Sequence, residues 1–543
     1  MNNSVFRFDV PTNEPMNDFA PGSPSRAALK AGLERQAAQV VEIPLIIGGK
    51  EVRTGKMRDV VMPCDHGHVL ARCHMAGEAE VRQAIDAALA AHDQWSNLSW
   101  IERASIGLKA AELLSKNRRY EIAAATMLGQ AKNAYQAEVD AVCELIDYLR
   151  YNVYFASEIY GNQPRSAADQ LNRMEYRPLE GFVFAISPFN FTAIASNLNM
   201  SVALMGNTTV WKPASTAVLS NYLVMRALMD AGLPPGVINF VPGAGSVVGG
   251  AALDHPALAG IHFTGSNATF NHLWRGVAER IGQYRSYPRI VGETGGKDFI
   301  FVHASADPAA VATAIVRGAY EYQGQKCSAA SRAYVPASLW PEVRDLVGGM
   351  VSKIKVGDVR DFSNFVNAVI DEPAFDNVMH YIDVARSSKD AKIVFGGEGD
   401  KSVGYFVQPT LIEAKDPHFA TMEEEIFGPV MTVYVYDDAK YAETLRLCES
   451  TSRYGLTGAI FATDRYAYLE ACRALRYAAG NFYINDKPTG AMVGLQPFGG
   501  SRASGTNDKA GGPLNLLRWI SPRTIKETFL PATDYAYPFH REP

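Results

Sequence analysis

The sequence predicts an α/β protein built from two α/β domains, and three observations carry that prediction. From Gly181 onward, short apolar runs that suit buried strands alternate with helical segments, as in βαβ units around a parallel sheet. A second series of the same kind follows Gly295. The chain of 543 residues is also too long for one simple core.

The N-terminal part of the chain is predicted to be an extended arm followed by helices. Residues 1–25 contain Pro, Asn, Gly and Ser and predict the arm. Helical periodicity and alanine-rich composition then predict helices at residues 26–41, 78–95, 104–114 and 122–151.

The first α/β series is predicted from its apolar runs and the helices between them. Strands are expected at residues 182–186, 208–212, 237–241 and 261–263, with a helix at 219–231. In the second series we expect a strand at 299–302 and a helix at 308–322, and the two series join near Glu293. Residues 157–180 and 513–543 lack a strong helical pattern.

Bulk composition excludes several classes of function. The chain is 47% hydrophobic and 20% charged, with a net charge of −5, so it has no basic footprint for nucleic acid. No apolar run approaches the roughly 20 residues of a membrane helix. Six scattered cysteines favour a reducing compartment. The N-terminus lacks an apolar signal segment, and we expect a cytoplasmic protein.

Three segments contain candidate catalytic residues. Cys327 follows Lys326, whose ammonium would favour the thiolate if it lay towards the sulfur. Glu293 lies in a glycine-rich turn and is a candidate base. Asn190 follows the predicted strand at 182–186, where its amide could donate to an oxyanion. Taken singly, each has an ordinary alternative, as a buried thiol or a turn residue.

Two other motifs are set aside. Cysteines and histidines at positions 64, 66, 68, 73 and 74 have the residue types of a metal site, but their spacing fits no usual zinc pattern, and the region predicts a strand hairpin beside Gly67. The run at 292–297 is one residue short of a phosphate loop and ends in Lys297-Asp298, without Ser or Thr. We expect no metal and no ATP.

Together with further runs, the three catalytic segments resemble the NAD(P)-dependent aldehyde dehydrogenase superfamily. The runs are WKPAS (211–215), FTGS (263–266), EEEIFGP (423–429) and PFGG (497–500), in the superfamily's order from about residue 46 to 526. The runs NFYINDK (481–487) and RASGTNDK (502–509) are similar to the branch that oxidises L-glutamate γ-semialdehyde to L-glutamate in proline catabolism.

The resemblance implies a fold and a domain division. The fold would be the aldehyde dehydrogenase fold, with a variant Rossmann NAD-binding domain, an α/β catalytic domain and a small β element for oligomerisation. Residues 1–156 would form the arm and the helical part of the NAD-binding domain, which continues at 181–294. The catalytic domain would span 295–512, and residues 157–180 and 513–543 would form the oligomerisation element.

The resemblance also assigns the cofactor site. NAD would be held through Lys212 at the adenosine ribose, through Gly265 and Ser266 at the pyrophosphate, and through Glu425 and Phe427 at the nicotinamide ribose. By spacing alone, Gly243-Ala244-Gly245 misses the dinucleotide fingerprint and reads as a loop. Many NAD-specific relatives carry Glu where this chain has Ser215, so the choice between NAD and NADP stays open.

For catalysis, the resemblance implies that Cys327 attacks the aldehyde. The Asn190 amide and the Cys327 backbone N–H would hold the oxyanion, and Glu293 would activate water against the thioester. The substrate would be bound by Glu144 at its ammonium, by a loop at its carboxylate and by two aromatic rings along its stem. With Ser328 these residues are Glu144, Phe191, Ser328, Gly490, Ala491 and Phe498.

Alternatives remain at this stage. Glu144 could be an exposed helix carboxylate, and Phe191 and Phe498 could be core aromatics. Another small semialdehyde, such as succinate semialdehyde, is the second substrate hypothesis. A CoA-acylating enzyme has no need of Glu293 as a hydrolytic base, and a binding protein has no need of the catalytic set.

The resemblance finally bears on partners and compartment. A homo-oligomer, a dimer or higher, is expected from the oligomerisation segments. Transient contact with a proline dehydrogenase is a further partner to consider. Enzymes of this branch in higher organisms are mitochondrial, so the mitochondrial matrix is the alternative to the cytoplasm.

Overall fold

The computed structural model describes residues 6–542. Residues 1–5 of the predicted arm and residue 543 of the predicted C-terminal segment therefore lie outside the described residues. The strands in chain order are β1 (Val41–Ile43), β2 (Leu45–Ile47), β3 (Lys50–Val52), β4 (Met57–Met62), β5 (Asp65–His74), β6 (Gln170–Arg177), β7 (Phe182–Ile186), β8 (Thr208–Lys212), β9 (Ile238–Phe240), β10 (Leu258–Thr264), β11 (Arg289–Glu293), β12 (Asp298–Val302), β13 (Ala330–Pro336), β14 (Ala391–Phe395), β15 (Gly399–Asp400), β16 (Phe406–Val407), β17 (Thr410–Ala414), β18 (Val430–Tyr436), β19 (Tyr454–Gly455), β20 (Thr457–Phe461), β21 (Asn481–Ile484), β22 (Ser501–Arg502) and β23 (Ser521–Thr528).

The α-helices lie between these strands and before them. In chain order they are α1 (Pro24–Ala37), α2 (Glu78–Asn97), α3 (Trp100–Lys116), α4 (Arg119–Gln130), α5 (Ala134–Ala137), α6 (Glu144–Gly161), α7 (Thr192–Leu204), α8 (Val218–Asp230), α9 (Gly245–Leu253), α10 (Asn267–Glu279), α11 (Pro308–Tyr320), α12 (Trp340–Val351), α13 (Glu372–Ser387), α14 (Ala420–Glu423), α15 (Tyr441–Ser450), α16 (Arg465–Ala474) and α17 (Pro513–Leu517).

The first large sheet has seven strands in the order β11-β10-β7-β8-β9-β2-β3. Strands β7 to β11 are parallel, and β2 and β3 extend the sheet in antiparallel fashion. Every side chain of β7 and β10 is buried, because helices cover both faces of a parallel sheet. Chain order reverses between β7 and β10, and such a switch point opens a crevice at the carboxyl ends of the strands.

The second large sheet also has seven strands, in the order β14-β17-β18-β13-β12-β20-β21. Adjacent strands in this sheet are parallel, except that β14 pairs antiparallel with β17. Two parallel-rich sheets agree with the predicted α/β fold. The domain boundaries predicted from the sequence stay a prediction.

The helical region predicted at 122–151 is interrupted in the structure. Helix α4 ends at Gln130, and the next residue, Ala131, has a left-handed backbone (φ 54°). The Asn133 side chain then caps the following helix by accepting from the Gln136 N–H. A π-helical turn at Glu138–Cys143 then leads into α6. Such turns are rare and often accompany functional sites.

Several other predicted boundaries were wrong by a few residues. The first helix ends at Ala37, and Val41 already belongs to β1. Helix α11 ends at Tyr320 and gives way to a 3₁₀ turn. The predicted hairpin is formed by β4 and β5, but Gly67 lies inside β5 rather than at the turn.

The segments predicted to lack helix contain an isolated two-stranded ribbon. Strands β6 and β23 pair antiparallel over eight residues each, from Gln170 opposite Thr528 to Arg177 opposite Ser521. Both segments nevertheless contain helix, because α6 runs to Gly161 and α17 covers Pro513–Leu517. Within residues 6–542, no helix combines the length and apolar character needed to cross a bilayer.

Candidate active site

The candidate catalytic residues lie where the two large sheets meet. Asn190 follows β7, and Glu293 is the last residue of β11, so both stand at carboxyl ends of the first sheet. Cys327 precedes β13 and Glu425 precedes β18, at amino ends of the second sheet. Asn190 joins the two groups, because its side-chain Nδ2 donates to the Gln325 carbonyl at 2.9 Å.

A strained turn presents Cys327. Tyr322 and Gln323 have left-handed backbones with φ of 50° and 55°, and Gly324 follows with φ 66°. Such residues persist only where their surroundings hold them. The buried Gln323 amide does so by donating to the carbonyls of Ala131 and Ala368, at 3.0 and 2.7 Å.

The Cys327 thiol lies in a carboxylate-rich environment. Burial raises its pKa well above the usual range, and the nearby carboxyl groups of Asp298, Glu293 and Glu425 raise it further. The Lys326 ammonium lies 3.0 Å from the Asp140 carboxylate, and the pKa of the thiol is not lowered. The condition under which Lys326 would favour the thiolate, an ammonium directed at the sulfur, is therefore not met, because this ammonium pairs with Asp140.

The Glu293 carboxyl group is partly exposed, and its buried Oε2 has no hydrogen-bond partner among the described residues. Burial raises its pKa well above the usual range, against the opposing charge of Lys509. A carboxyl group with a free oxygen and a raised proton affinity suits a general base. Its backbone carbonyl accepts a bond from Gly265 at 3.1 Å, which links β11 to the end of β10.

Glu425 is held against the backbone that follows Glu293. Its Oε1 accepts a hydrogen bond from the Gly296 N–H at 3.0 Å. A Cβ atom on Gly295 would lie 1.9 Å from Oε2, so only glycine leaves room for this carboxylate. Burial raises the pKa of Glu425 to about 7. Phe427, with φ 58°, packs its ring edge-on against Phe189.

A wide cleft of about 790 Å³ opens on the first sheet and has Lys212 in its wall. Ser266 caps helix α10 by accepting from the Thr269 N–H, and α10 lines the same cleft along its length, from Ala268 to Glu279. Gly265 precedes this cap, and Ser215 begins a 3₁₀ turn three residues after Lys212. Burial lowers the pKa of Lys212.

A second, narrow cavity of about 50 Å³ reaches Cys327. All six residues predicted for substrate binding line it: Glu144, Phe191, Ser328, Gly490, Ala491 and Phe498. The Ser328 hydroxyl lies 2.8 Å from that of Thr489, and Gly490 has a left-handed backbone with φ 95°.

Glu144, the first residue of α6, is half-buried rather than an exposed helix carboxylate. Burial, together with the negative charge of Asp140, raises its pKa to about 8. A carboxyl group in this position gains from a cation brought by a ligand, because the cation would offset its desolvation.

Sequence comparison decides the family. The sequence model of the aldehyde dehydrogenase family matches residues 51–525, which is most of the chain. The chain belongs to the aldehyde dehydrogenase family.

Relatives of this aldehyde dehydrogenase share its whole length. A Dictyostelium discoideum protein named mitochondrial delta-1-pyrroline-5-carboxylate dehydrogenase is 53% identical over 98% of this chain and 96% of its own. The structure of the delta-pyrroline-5-carboxylate dehydrogenase of Mycobacterium tuberculosis bound with NAD is similar at 51% identity, TM-score 0.96 and full coverage of both chains. Proline utilization A of Bdellovibrio bacteriovorus matches at 30% identity and TM-score 0.90, over 96% of this chain and 53% of its own.

Sequence reasoning missed several residues of this aldehyde dehydrogenase site. Asp140 accepts from both Lys132 and Lys326 through one oxygen, at 2.5 and 3.0 Å, beside the narrow cavity that reaches Cys327. Nothing local signals this cluster, because the three residues come from separate turns. The segment dismissed as a loop at Gly245 begins helix α9, whose Gly245, Ser246 and Gly249 line the wide cleft.

The described residues of this aldehyde dehydrogenase contain no group of three or more His, Cys, Asp or Glu side chains arranged to hold a metal ion.

Proposed function

We propose that the chain oxidises L-glutamate γ-semialdehyde, formed from Δ1-pyrroline-5-carboxylate, to L-glutamate with NAD in proline catabolism. One observation carries the proposal: Cys327, Glu144 and the loop at Gly490 and Ala491 line a single narrow cavity. The names of the relatives in Dictyostelium and Mycobacterium support the same substrate.

The cavity suits an amino-acid semialdehyde because the Glu144 carboxyl group, the backbone at Gly490 and Ala491, and two aromatic rings line it together. Glu144 would accept from the ammonium, and the Gly490 and Ala491 backbone N–H groups, with Ser328, would donate to the carboxylate. The rings of Phe191 and Phe498 would hold the aliphatic stem between them. A substrate without the ammonium would leave Glu144 unpaired, which disfavours succinate semialdehyde.

The chemistry proceeds through the sulfur of Cys327. The thiol gives its proton to solvent, and the thiolate forms a bond to the aldehyde carbon while the carbonyl π electrons move to its oxygen, which gives the thiohemiacetal oxyanion. The Asn190 amide has two donors, one of which serves the Gln325 carbonyl, and the other would stabilise the oxyanion with the Cys327 N–H. When bound, NAD supplies the hydride acceptor that turns the thiohemiacetal into a thioester.

Glu293 completes the reaction. Its carboxylate would take a proton from a water molecule, whose oxygen attacks the thioester carbon. The carbon–sulfur bond then breaks, which releases glutamate and returns the cysteine. The buried Oε2 of Glu293, which has no hydrogen-bond partner among the described residues, supports this role because it is free to accept a proton.

The cleft and its surroundings fit NAD. Lys212 and helices α9 and α10, including the N-terminal residues of both helices, line a space large enough for a dinucleotide. Helix N-termini favour phosphate oxygens. Gly265 and Ser266 would face the pyrophosphate, and Glu425 with Phe427 would hold the nicotinamide ribose. Ser215 carries no charge that would repel the 2′-phosphate of NADP. The preference for NAD over NADP is therefore a proposal and does not follow from Ser215.

We further propose a homo-oligomer, a dimer or higher, that buries the ribbon of β6 and β23. Transient contact with a proline dehydrogenase is the second partner proposed. The cytoplasm is the proposed compartment, with the mitochondrial matrix as the alternative because the Dictyostelium relative is named mitochondrial. Six free cysteines suit either of these reducing compartments.

The test is NADH formation from pyrroline-5-carboxylate by the purified chain, with NADP and succinate semialdehyde as comparisons. We expect strong preference for the proline-derived substrate and for NAD. Cys327→Ala should abolish turnover while NAD still binds, and Cys472→Ala, at a partly exposed thiol outside both cavities, is the matched control. Turnover of succinate semialdehyde alone would overturn the roles of Glu144 and the Gly490 loop.

A further inference from the structure

The extended N-terminal arm contacts the substrate side of the molecule. It runs from Phe6 to Ser23 ahead of α1, and most of its side chains are exposed. Glu14 and Phe19 are buried, at 8% and 3% exposure. An otherwise exposed segment with buried, hydrogen-bonded anchors is fixed by those anchors.

Asn13 joins the two halves of the proposed substrate site. Its side-chain Nδ2 donates to the Asp147 carboxylate at 2.8 Å and to the Val493 carbonyl at 2.9 Å. Asp147 lies three residues after Glu144 on α6, hence on the same side of the helix. Val493 ends the loop that begins at Gly490. One amide group therefore sets the spacing between the ammonium side and the carboxylate side.

Glu14 fixes Asn13 in place. Its backbone N–H donates to the other Asp147 oxygen at 2.7 Å, and its carboxylate pairs with Arg119 and Arg150, each at 2.6 Å. Burial alone would raise the pKa of Glu14, yet hydrogen bonds from Ser115, Arg150 and Arg119 hold it below the usual value. Paired charges of this kind are costly to break singly.

The loop has local supports at Met492, whose N–H donates to Gln496 Oε1 and whose carbonyl accepts from the Leu495 and Gln496 N–H groups, and the arm adds a support at Val493. Gly490 is exposed and left-handed, and Met492 is also exposed, whereas Val493 is buried. Beside the loop, a chamber of about 110 Å³ has Glu14 and Met16 in its wall together with Glu144 and Ala491. The arm is therefore a wall of the space that adjoins the substrate cavity.

We propose that Asn13 is a positioning residue for substrate recognition, through which the N-terminal arm holds the Gly490–Val493 loop at a fixed distance from Glu144. The inference rests on the proposed function, since it concerns a substrate that carries both an ammonium and a carboxylate. A site that binds a ligand at two points has the highest affinity when the distance between those points is fixed before the ligand binds.

The first test is Asn13→Ala in the full chain. We expect the KM for the semialdehyde and the inhibition constant of L-glutamate to rise about tenfold, as for one lost hydrogen bond to each half of the site. The kcat and the dissociation constant of NAD should stay unchanged. Thr12→Ala, at the exposed neighbour, is the matched control and should leave all four constants at their starting values.

The double variant Asn13→Asp with Asp147→Asn separates positioning from stability. It reverses the donor and acceptor between residues 13 and 147, but residue 13 can no longer donate to the Val493 carbonyl. We expect thermal stability to recover only in part relative to Asn13→Ala, because the carboxylate at residue 13 repels the Val493 carbonyl oxygen, while the KM stays raised.

Three outcomes would overturn the inference: an unchanged KM in Asn13→Ala, equal losses in NAD affinity, or a KM that recovers with stability in the double variant. A starting enzyme that does not oxidise pyrroline-5-carboxylate would instead refute the proposed function. An enzyme that does so, with an Asn13→Ala variant of equal KM, refutes only the role of Asn13.

Discussion

The carboxyl group of Glu144 stands where its ionised form is disfavoured in the folded chain. Its pKa is raised to about 8, by burial first and by Asp140 second. Between about pH 4.5 and 8, the folded state binds this proton more tightly than the unfolded state. Stability therefore falls as the pH rises through that window, the reverse of an ordinary paired carboxylate.

Glu144→Gln should therefore stabilise the chain and weaken its function. We expect a gain of about 1–3 kcal/mol in the free energy of unfolding at pH 8, and almost none at pH 4.5, because glutamine cannot ionise. Urea unfolding at the two pH values measures the gain. The KM for the semialdehyde should rise at least tenfold. A gain independent of pH would contradict the assignment.

The pH dependence of turnover should follow from two raised pKa values. Burial raises the pKa values of both Cys327 and Glu293 above their usual range. Both groups act in their deprotonated forms. We therefore expect kcat/KM to rise steadily between pH 6 and 9. Initial rates at saturating NAD measure this. A profile that is flat or falls over that range would show that neither group limits the reaction.

At the scale of single elements, strands with continuous apolar runs were predictable and interrupted helices were not. The bounds of β7 and β8 match the prediction, because each run ends at a polar residue or before proline. The break at Ala131 is signalled only by Gly129 two residues earlier, because the hydrogen bond that holds the Ala131 carbonyl comes from Gln323, 192 positions away. The short strands β1 to β3 also lack sufficient length for a periodic signal.

In the candidate site, too, some residues could be predicted from the sequence and others could not. The resemblance placed six residues that the structure brings to one cavity, yet it gave no hint of Lys132 and Asp140. The pairing of Lys132 with Asp140 depends on the direction in which the π-helical turn at Glu138–Cys143 orients the Asp140 side chain. The local sequence does not predict that orientation.

The ribbon of β6 and β23 is the element that most needs a partner surface. Two-stranded ribbons are marginal alone in water, and here only exposed pairs such as Arg523 with Glu175 at 2.6 Å join the strands beyond the backbone. Beyond β23 the chain exposes Phe529 and Leu530, the latter at 86%. This exposure supports the proposed oligomer.

Ending the chain at Ile520 should reduce the size of the assembly. That truncation removes β23 and the apolar residues after it, but keeps the buried Leu516, Trp519 and Ile520. Light scattering should then report a smaller molar mass, with NAD binding retained. A chain ending at Leu530 keeps the ribbon and serves as the control. An equal mass for both truncations would place the interface elsewhere.

At the scale of the whole molecule, hydrogen bonds and buried contacts join parts of the chain that are far apart in sequence. Asn13 reaches Val493 across 480 positions, and Asn207 reaches Trp519 across 312. Trp519 lies in one buried cluster with Val183 of the first sheet. The first sheet is therefore covered only when the last tenth of the sequence has folded onto it, and long-range closure of this kind slows folding.

The pairing of β6 with β23 has a consequence during synthesis on the ribosome. Arg177 and Ser521 are 344 positions apart, so at 5–20 residues per second a nascent chain carries β6 without its partner for roughly 20–70 s. Throughout that interval an open strand edge is available to neighbouring polysomal chains. Holdase chaperones should therefore bind nascent chains that have passed residue 177, and release them once residue 528 has emerged.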